Sequence, residues 1–332
     1  MKNIETATTQ TELAGAPTPK TNQFYEDVIA GLTAAQKYLS SKYFYDATGD
    51  KLFQELMNCD EYYPTKSELE IFSEKTAEIC TAIIADGDVF DLIELGAGDA
   101  TKSSYLLKYL LDHQAGFSYF PIDISDNVIS YLNMTLPFTL PDLQITGLNG
   151  EYFDMLERAA SLSNKRKVVL FLGSNIGNLT VVEAERFCMR LREHLSPGDM
   201  MLIGFDLKKN PKTILAAYND KGGITRRFNL NLLERINREL NGDFDPGKFE
   251  HYPTYDPITG ACKSYLVSIA DQDVKIGDET IHFDKDEPIF MEISQKFTVE
   301  QTEQMAMRSG FKPVNQFFDN KKWFLDVIWV AE

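Results

Sequence analysis

The sequence predicts an α/β fold: a parallel sheet with helices on both faces, joined to a smaller α+β unit. Three observations predict it. Apolar strand-like runs alternate with helix-like runs from about residue 89 to residue 206. The first of those strands breaks at a Gly-x-Gly turn that opens a helix. The alternation then stops near Lys208 and returns near Phe297. Alternating strands and helices whose strands are apolar throughout imply a parallel sheet buried on both faces.

The elements follow in order. Residues 1–22 are rich in Thr, Ala and Pro and read as a disordered lead-in. From Asn22 to Met57 the pattern is mostly helical, interrupted by the aromatic stretch "SKYFYDATGD". "DEYYPTKSE" places a Pro and a Thr ahead of a helix through "ELEIFSEKTAEICTAI". "VFDLIEL" is then a strand, "TKSSYLLKYLLDHQ" a helix and "SYFPIDI" a strand. "SDNVISYLNMTL" is a helix with Ser125 or Asp126 as its N-cap. "DLQITGL" and "KVVLFLGS" are strands, "TVVEAERFCMRLREHL" is a helix, and "SPGDMMLIGFD" is a turn and a strand. Beyond Lys208 come two helical stretches, "PKTILAAYND" and "NLNLLERINREL", then hairpin-like periodicity through "SYLVSIADQDVKIGDETIHF". The tail returns to a helix and two strands. This divides the chain into a main domain, 67–208 plus 297–332, and a second unit, 23–66 plus 209–296.

Bulk properties exclude several functions. The formal charge of −17 disfavours nucleic acid and anionic membrane surfaces as partners. The four cysteines and four histidines are scattered, which argues against a zinc site or a disulfide framework and fits a reducing cytoplasm. The N-terminus has no apolar signal region, and no run of apolar residues is long enough to span a membrane. No metal and no obligatory protein partner are implied.

The glycine turn reads Gly96-Ala97-Gly98-Asp99-Ala100-Thr101. A dinucleotide site wants a third glycine where Thr101 stands, and Asp99 would repel a pyrophosphate. A nucleoside cofactor without phosphate fits better, and S-adenosylmethionine is one. Asp123, at the end of the next strand, can accept both ribose hydroxyls. The alternative is that the glycines only turn the chain and Asp123 only caps a helix.

Several stretches, in order, resemble one family: "GLTAAQKYLSSKYFYDATGDKLFQELMNCDEYYPTKSE", "IELGAGDATK", "FPIDIS", "VVLFLGSNIGNLT", "AAYND", "FNLNLLERINRELNGDFD", "FEH" and "EISQKF". The chain resembles the histidine-specific, S-adenosylmethionine-dependent Nα-methyltransferases of ergothioneine biosynthesis. The resemblance covers about residues 22–332. It implies a Rossmann-like class I methyltransferase domain with a smaller substrate-binding domain, and trimethylation of the α-amino group of L-histidine to hercynine.

Residue roles carry over by motif. Gly96, Gly98, Lys102 and Asp123 match cofactor positions, with the Lys102 ammonium in reach of the methionine carboxylate; otherwise Lys102 is a solvated lysine. Glu151 and Tyr152 occupy the adenine-contact stretch, where the family more often has Asp-Phe. Asn178, Tyr62 and Tyr218 match residues that hold the amino-acid end of the substrate, and Tyr45 the tyrosine beside the amine. Tyr45 and Asn178 are thereby the candidate catalytic pair. Glu292 and Ser294 lie two apart on a strand, hence on one face, where a carboxylate and a hydroxyl can grip both imidazole nitrogens. Without the resemblance, Asn178 reads as a turn residue, the tyrosines as packing residues and "EIS" as a solvated strand face. Two more positions depart from the family: Ser264, where some relatives carry methionine, and Asn175, where threonine is frequent. Competing readings are methylation of another aromatic amino acid or of a thiohistidine, and a catalytically idle cofactor-binding regulator. A nicotinamide oxidoreductase is disfavoured by Asp99 and Thr101.

Overall fold

The computed structural model describes residues 19–84 and 89–332, so the lead-in up to residue 18 lies outside the described residues. The chain begins with α1 (Pro19–Leu32), a 3-10 turn (Ser41–Phe44), α2 (Ala47–Met57) and α3 (Tyr63–Ile83). Strands and helices then alternate: β1 (Phe90–Leu95), α4 (Ser103–Asp112), β2 (Phe117–Asp123), α5 (Asp126–Thr139), β3 (Leu148–Asn149), α6 (Tyr152–Leu162), β4 (Arg166–Phe171), α7 (Val181–Glu193) and β5 (Met200–Asp206). Next come α8 (Pro211–Ala217), α9 (Ile224–Leu240), β6 (Phe249–Tyr255), β7 (Ala261–Ser268), β8 (Gln272–Ile276), β9 (Glu279–Phe283) and β10 (Pro288–Gln295). The chain closes with α10 (Val299–Arg308), β11 (Phe311–Phe318) and β12 (Phe324–Ala331).

Among the described residues, seven strands form one sheet in the order β11-β12-β5-β4-β1-β2-β3. The five from β3 to β5 run parallel, while β12 is antiparallel to β5 and β11 to β12. The antiparallel edge was not anticipated; a strand that returns through a short turn after β11 has no helix with which to cross over. Residues of β1 alternate between two cores. Phe90 and Leu92 pack with Phe72 of α3, Leu107 of α4 and Leu132 of α5, while Ile93 and Leu95 pack with Leu156 of α6, Cys188 of α7 and Met305 of α10. Both faces are therefore covered by helices, and the fold is α/β.

Local signals fix the helix starts. Ser125, not Asp126, caps α5 by accepting the Val128 N–H at 3.3 Å. Thr180 and Thr298 each form a reciprocal cap with Glu183 and Gln301 at the starts of α7 and α10. One sequence expectation needs adjustment: "DLQITGL" contributes only to the two-residue β3. The helix α6, with Glu151 at its N-cap, was not anticipated.

Strands β6, β7 and β10 form a separate antiparallel sheet, and β8 and β9 a two-stranded ribbon. These pack with α1 and α9 around Phe228, Leu233, Phe249, Leu266 and Ile289. Residues 249–295 thus add no strand to the seven-stranded sheet.

Candidate active site

In the large sheet, β1 lies between β2 and β4: the chain runs from β1 outward through β2 and β3 on one side, then returns to build β4 and β5 on the other. Ligands of open α/β sheets bind at such a switch point, beyond the carboxyl ends of the strands. Gly96, Asp123, Gly173 and Asp206 all stand at or just past those ends.

Gly96 and Gly98 both have left-handed backbone, φ 73° and 54°. At Gly96 a Cβ would meet Asn175 Nδ2 at 2.8 Å and Tyr152 Oη at 2.9 Å, so the position needs glycine twice over. Nothing approaches Gly98 within 4 Å, leaving open space beside the turn. Asp99 accepts the Thr101 N–H at 3.0 Å and so shapes the turn itself. Asp123 accepts the N–H groups of Gly98 at 3.1 Å and Ser125 at 2.9 Å. Burial nevertheless pushes its carboxyl above the ordinary carboxylate value. Asp50 of α2 sits close by, its Oδ2 3.4 Å from Ser125 Oγ, and is raised by burial and by Asp123. Among the described residues neither acid is in an ion pair, and two such acceptors suit the paired hydroxyls of a ribose. Asp50 was not singled out from sequence, because an acid in the first turn of a helix is ordinary there.

Lys102 is not a solvated lysine. Its ammonium pairs with Glu68 of α3, whose two carboxylate oxygens also take the Gly173 N–H at 2.7 and 2.9 Å. Burial alone would lower the Lys102 pKa, but Glu68 holds it above its ordinary value. Tyr152 packs edge-on against Phe171 and Phe187, with its hydroxyl over Gly96. It forms a wall of the site from the core side. Glu151 makes no side-chain cap for α6 and is exposed at the rim. These residues fit a nucleoside cofactor without phosphate: acid acceptors on β2 and α2, a glycine turn at β1, and a half-buried lysine beneath.

Tyr45, Tyr62, Asn175, Asn178, Tyr218, Glu292 and Ser294 line one cleft with Phe53 and Phe228. Tyr45 follows the 3-10 turn, which α9 anchors: Arg235 donates to the Tyr43 carbonyl at 2.9 Å, and Asn231 to Asp46 at 2.9 Å. Its ring sits edge-on to Phe53 and Phe228. Tyr62 precedes α3 and meets the Tyr218 ring edge-on, with 6.1 Å between centroids. Burial, as the largest cause, holds Tyr45, Tyr62 and Tyr218 well above their ordinary pKa, so all three are neutral. Asn178 ends a 3-10 turn (Asn175–Asn178) after β4 and is exposed at the mouth.

Glu292 and Ser294 lie on β10 just past a one-residue slip in its pairing with β7, between Phe290 and Glu292. Burial raises the Glu292 carboxyl to about 7, opposed by the Lys296 charge. Ser264, opposite Glu292 in that ladder, is buried against His251 Nε2 at 3.4 Å and does not line the cleft. Ser294 Oγ is 2.6 Å from Tyr218 Oη. These two hydroxyls, expected at opposite ends of the substrate, share one node. Lys296 donates to both and pairs with Asp206, and neither Lys296 nor Asp206 was legible as a site residue. A lysine after a strand reads as a solvated charge, and only the fold brings residue 296 to residue 206.

A family model described as histidine-specific, S-adenosylmethionine-dependent methyltransferase matches residues 24–331. The histidine N-alpha-methyltransferase of Mycolicibacterium smegmatis is 34% identical over 295 residues, covering 88% of this chain and 90% of its own. That of Mycobacterium tuberculosis is 35% identical over 273 residues, 82% of this chain and 83% of its own. The 4-dimethylallyltryptophan N-methyltransferase of Trichophyton verrucosum is more distant, 24% identical over 307 residues and 88% of each chain. With the switch-point cleft, the phosphate-free cofactor turn and this match over nearly the whole length, the chain belongs to the histidine-specific, S-adenosylmethionine-dependent methyltransferase family.

Proposed function

We propose that this enzyme transfers three methyl groups from S-adenosylmethionine to the α-amino nitrogen of L-histidine, giving hercynine. The observation that carries the reading is one cleft lined by Glu292, Ser294, Asn178 and three neutral tyrosines beside the glycine turn. When bound, the cofactor supplies a sulfonium methyl that an amine lone pair displaces. Gly96, Gly98, Lys102, Asp123, Glu151 and Tyr152 are the residues that would hold it. The unit formed by residues 23–66 and 209–296 supplies most of the substrate wall.

The chain's own contribution is placement. A free α-amino group is largely protonated near pH 7 and must lose a proton to solvent before it attacks. Tyr45 and Asn178 are uncharged and orient the amine without stabilising an ammonium. Tyr62, Tyr218 and Asn178 bind the amino-acid end and Glu292 the ring, while Ser294, bonded to Tyr218, joins the amino-acid end. Holding two reactants in attack geometry contributes up to ~7–11 kcal/mol. The third methyl removes the last lone pair, so the reaction stops at the trimethylated product.

Glu292 favours imidazole over indole. An imidazole offers both a donor and an acceptor, an indole only a donor, and a polar site left half-paired rejects its ligand. The net charge supports a reaction without nucleic acid or membrane, and four unpaired cysteines fit a reducing cytoplasm. Among the described residues no helix is long and apolar enough to cross a membrane. The test is incubation with S-adenosylmethionine and each amino acid in turn, read by mass. Histidine is expected to gain three methyl groups. Methylation of another amino acid in preference to histidine would overturn the reading.

A further inference from the structure

Lys296 is fully buried directly after β10, and its three N–H bonds are all spoken for. They go to Asp206 Oδ2 at 2.7 Å, Tyr218 Oη at 2.7 Å and Ser294 Oγ at 2.8 Å. Asp206, also fully buried, is shared: its Oδ1 pairs with Lys209, and Tyr63 donates to the same carboxylate at 2.7 Å. One carboxylate thus serves two ammonium groups, with Asp319 also acting on Lys209 and Glu292 on Lys296.

The protons of the node can be counted. Tyr218 and Ser294 bring two hydroxyl protons. One is used in the 2.6 Å bond between them, whichever way it runs. Lys296 has no acceptor capacity, so neither hydroxyl can donate to it. Among the described residues no other acceptor is bonded to either hydroxyl. One proton therefore remains, on an oxygen polarised by a buried ammonium, at a pair of residues that line the cleft.

We propose that Lys296, fixed by Asp206, is a positioning residue that makes the Tyr218–Ser294 pair a single, charge-backed donor for the carboxylate of the amino-acid substrate. The inference rests on the reading of the cleft as a histidine site. It assigns to Lys296 the discrimination between a free amino acid and an analogue lacking the carboxylate. Without the ammonium, each hydroxyl regains a free lone pair, the donor loses its fixed direction, and the anion loses its counter-charge.

The experiment compares wild type with Lys296→Met on L-histidine and on histidinol, which replaces the carboxylate with a hydroxymethyl group. Cofactor affinity is measured alongside by calorimetry. The expected result is a roughly ten- to hundred-fold rise in KM for histidine, with kcat and cofactor affinity changed far less. The histidine-over-histidinol preference should shrink by a similar factor. A general packing defect would lower both substrates together and leave that ratio in place, which would overturn the proposal. Should Lys296→Met fail to bind cofactor, the hydroxyl count is tested on Tyr218→Phe and Ser294→Ala. Each single change frees the remaining hydroxyl proton for the ligand, so each should cost less than half of the double variant's loss, counted as log kcat/KM. Additive losses would overturn the count. If wild type methylates neither compound, it is the histidine reading that fails; if it methylates histidine and Lys296→Met keeps both KM and preference, only the role of Lys296 does.

Discussion

Glu292 has no hydrogen-bonding partner among the described residues, and burial lifts its carboxyl from an ordinary 4.5 to about 7. The sign of the linkage follows. Between those values the unfolded chain has ionised while the folded one has not, so stability falls as pH rises through the window and stays lower above it. Glu292→Gln should therefore raise Tm at pH 8 and leave it nearly unchanged at pH 4, in thermal melts at the two pH values. The same variant should lose roughly ten- to a hundred-fold in kcat/KM for histidine, since a charge-assisted bond is worth about 1.5–3 kcal/mol. Asp123→Ala is the counterpart on the cofactor side. It removes an acceptor for two hydroxyls, and calorimetry should show at least a tenfold weaker affinity for S-adenosylmethionine. Both residues are marked in the sequence by position: one ends a strand after the glycine turn, the other stands two before a serine on a strand. Asp50, Asp206 and Lys296 carry no such mark. Each looks like a surface charge until distant segments meet.

The same contrast holds for elements. Long apolar strands and capped helices announce themselves, as β1, β4, α7 and α10 do. The two-residue β3 and the helix α6 do not, because so short a strand has no period and two glycines blur the start of α6. The turn after β1 is legible for a physical reason: only glycine accepts φ 73° with neighbours at 2.8 and 2.9 Å. Those neighbours are the ends of side chains and can swing aside. Gly96→Ala should thus fold, with a modest loss in Tm, and bind S-adenosylmethionine much more weakly by calorimetry. Gly98→Ala meets nothing within 4 Å and should pay only the left-handed backbone penalty of roughly 1–2 kcal/mol. Thr180→Ala removes the reciprocal cap of α7, far from the cleft in role. A loss of about 1 kcal/mol in chemical denaturation is expected, with kcat/KM unaltered.

At the scale of the molecule, the cleft is lined by residues from α2, from the loop after β4, from α9 and from β10, so ligands should stabilise the whole. S-adenosylmethionine at a hundred times its Kd should add about 2.7 kcal/mol, seen as a higher Tm, and histidine should add to it. In Asp123→Ala the first increment should require proportionally more cofactor. The join between the units has its own character. Backbone bonds run from Phe297 N–H to the Asp206 carbonyl at 3.0 Å and from Lys208 N–H to the Phe297 carbonyl at 2.8 Å, alongside the buried Lys296–Asp206 pair. Prising that pair apart would leave the Lys296 ammonium buried without its counter-charge, which is far costlier than bending around it. The end of β10 is in this sense a rivet, and amide hydrogen exchange should be slower there than along α2, which meets α9 in part through exposed, screened contacts such as Arg227–Glu55.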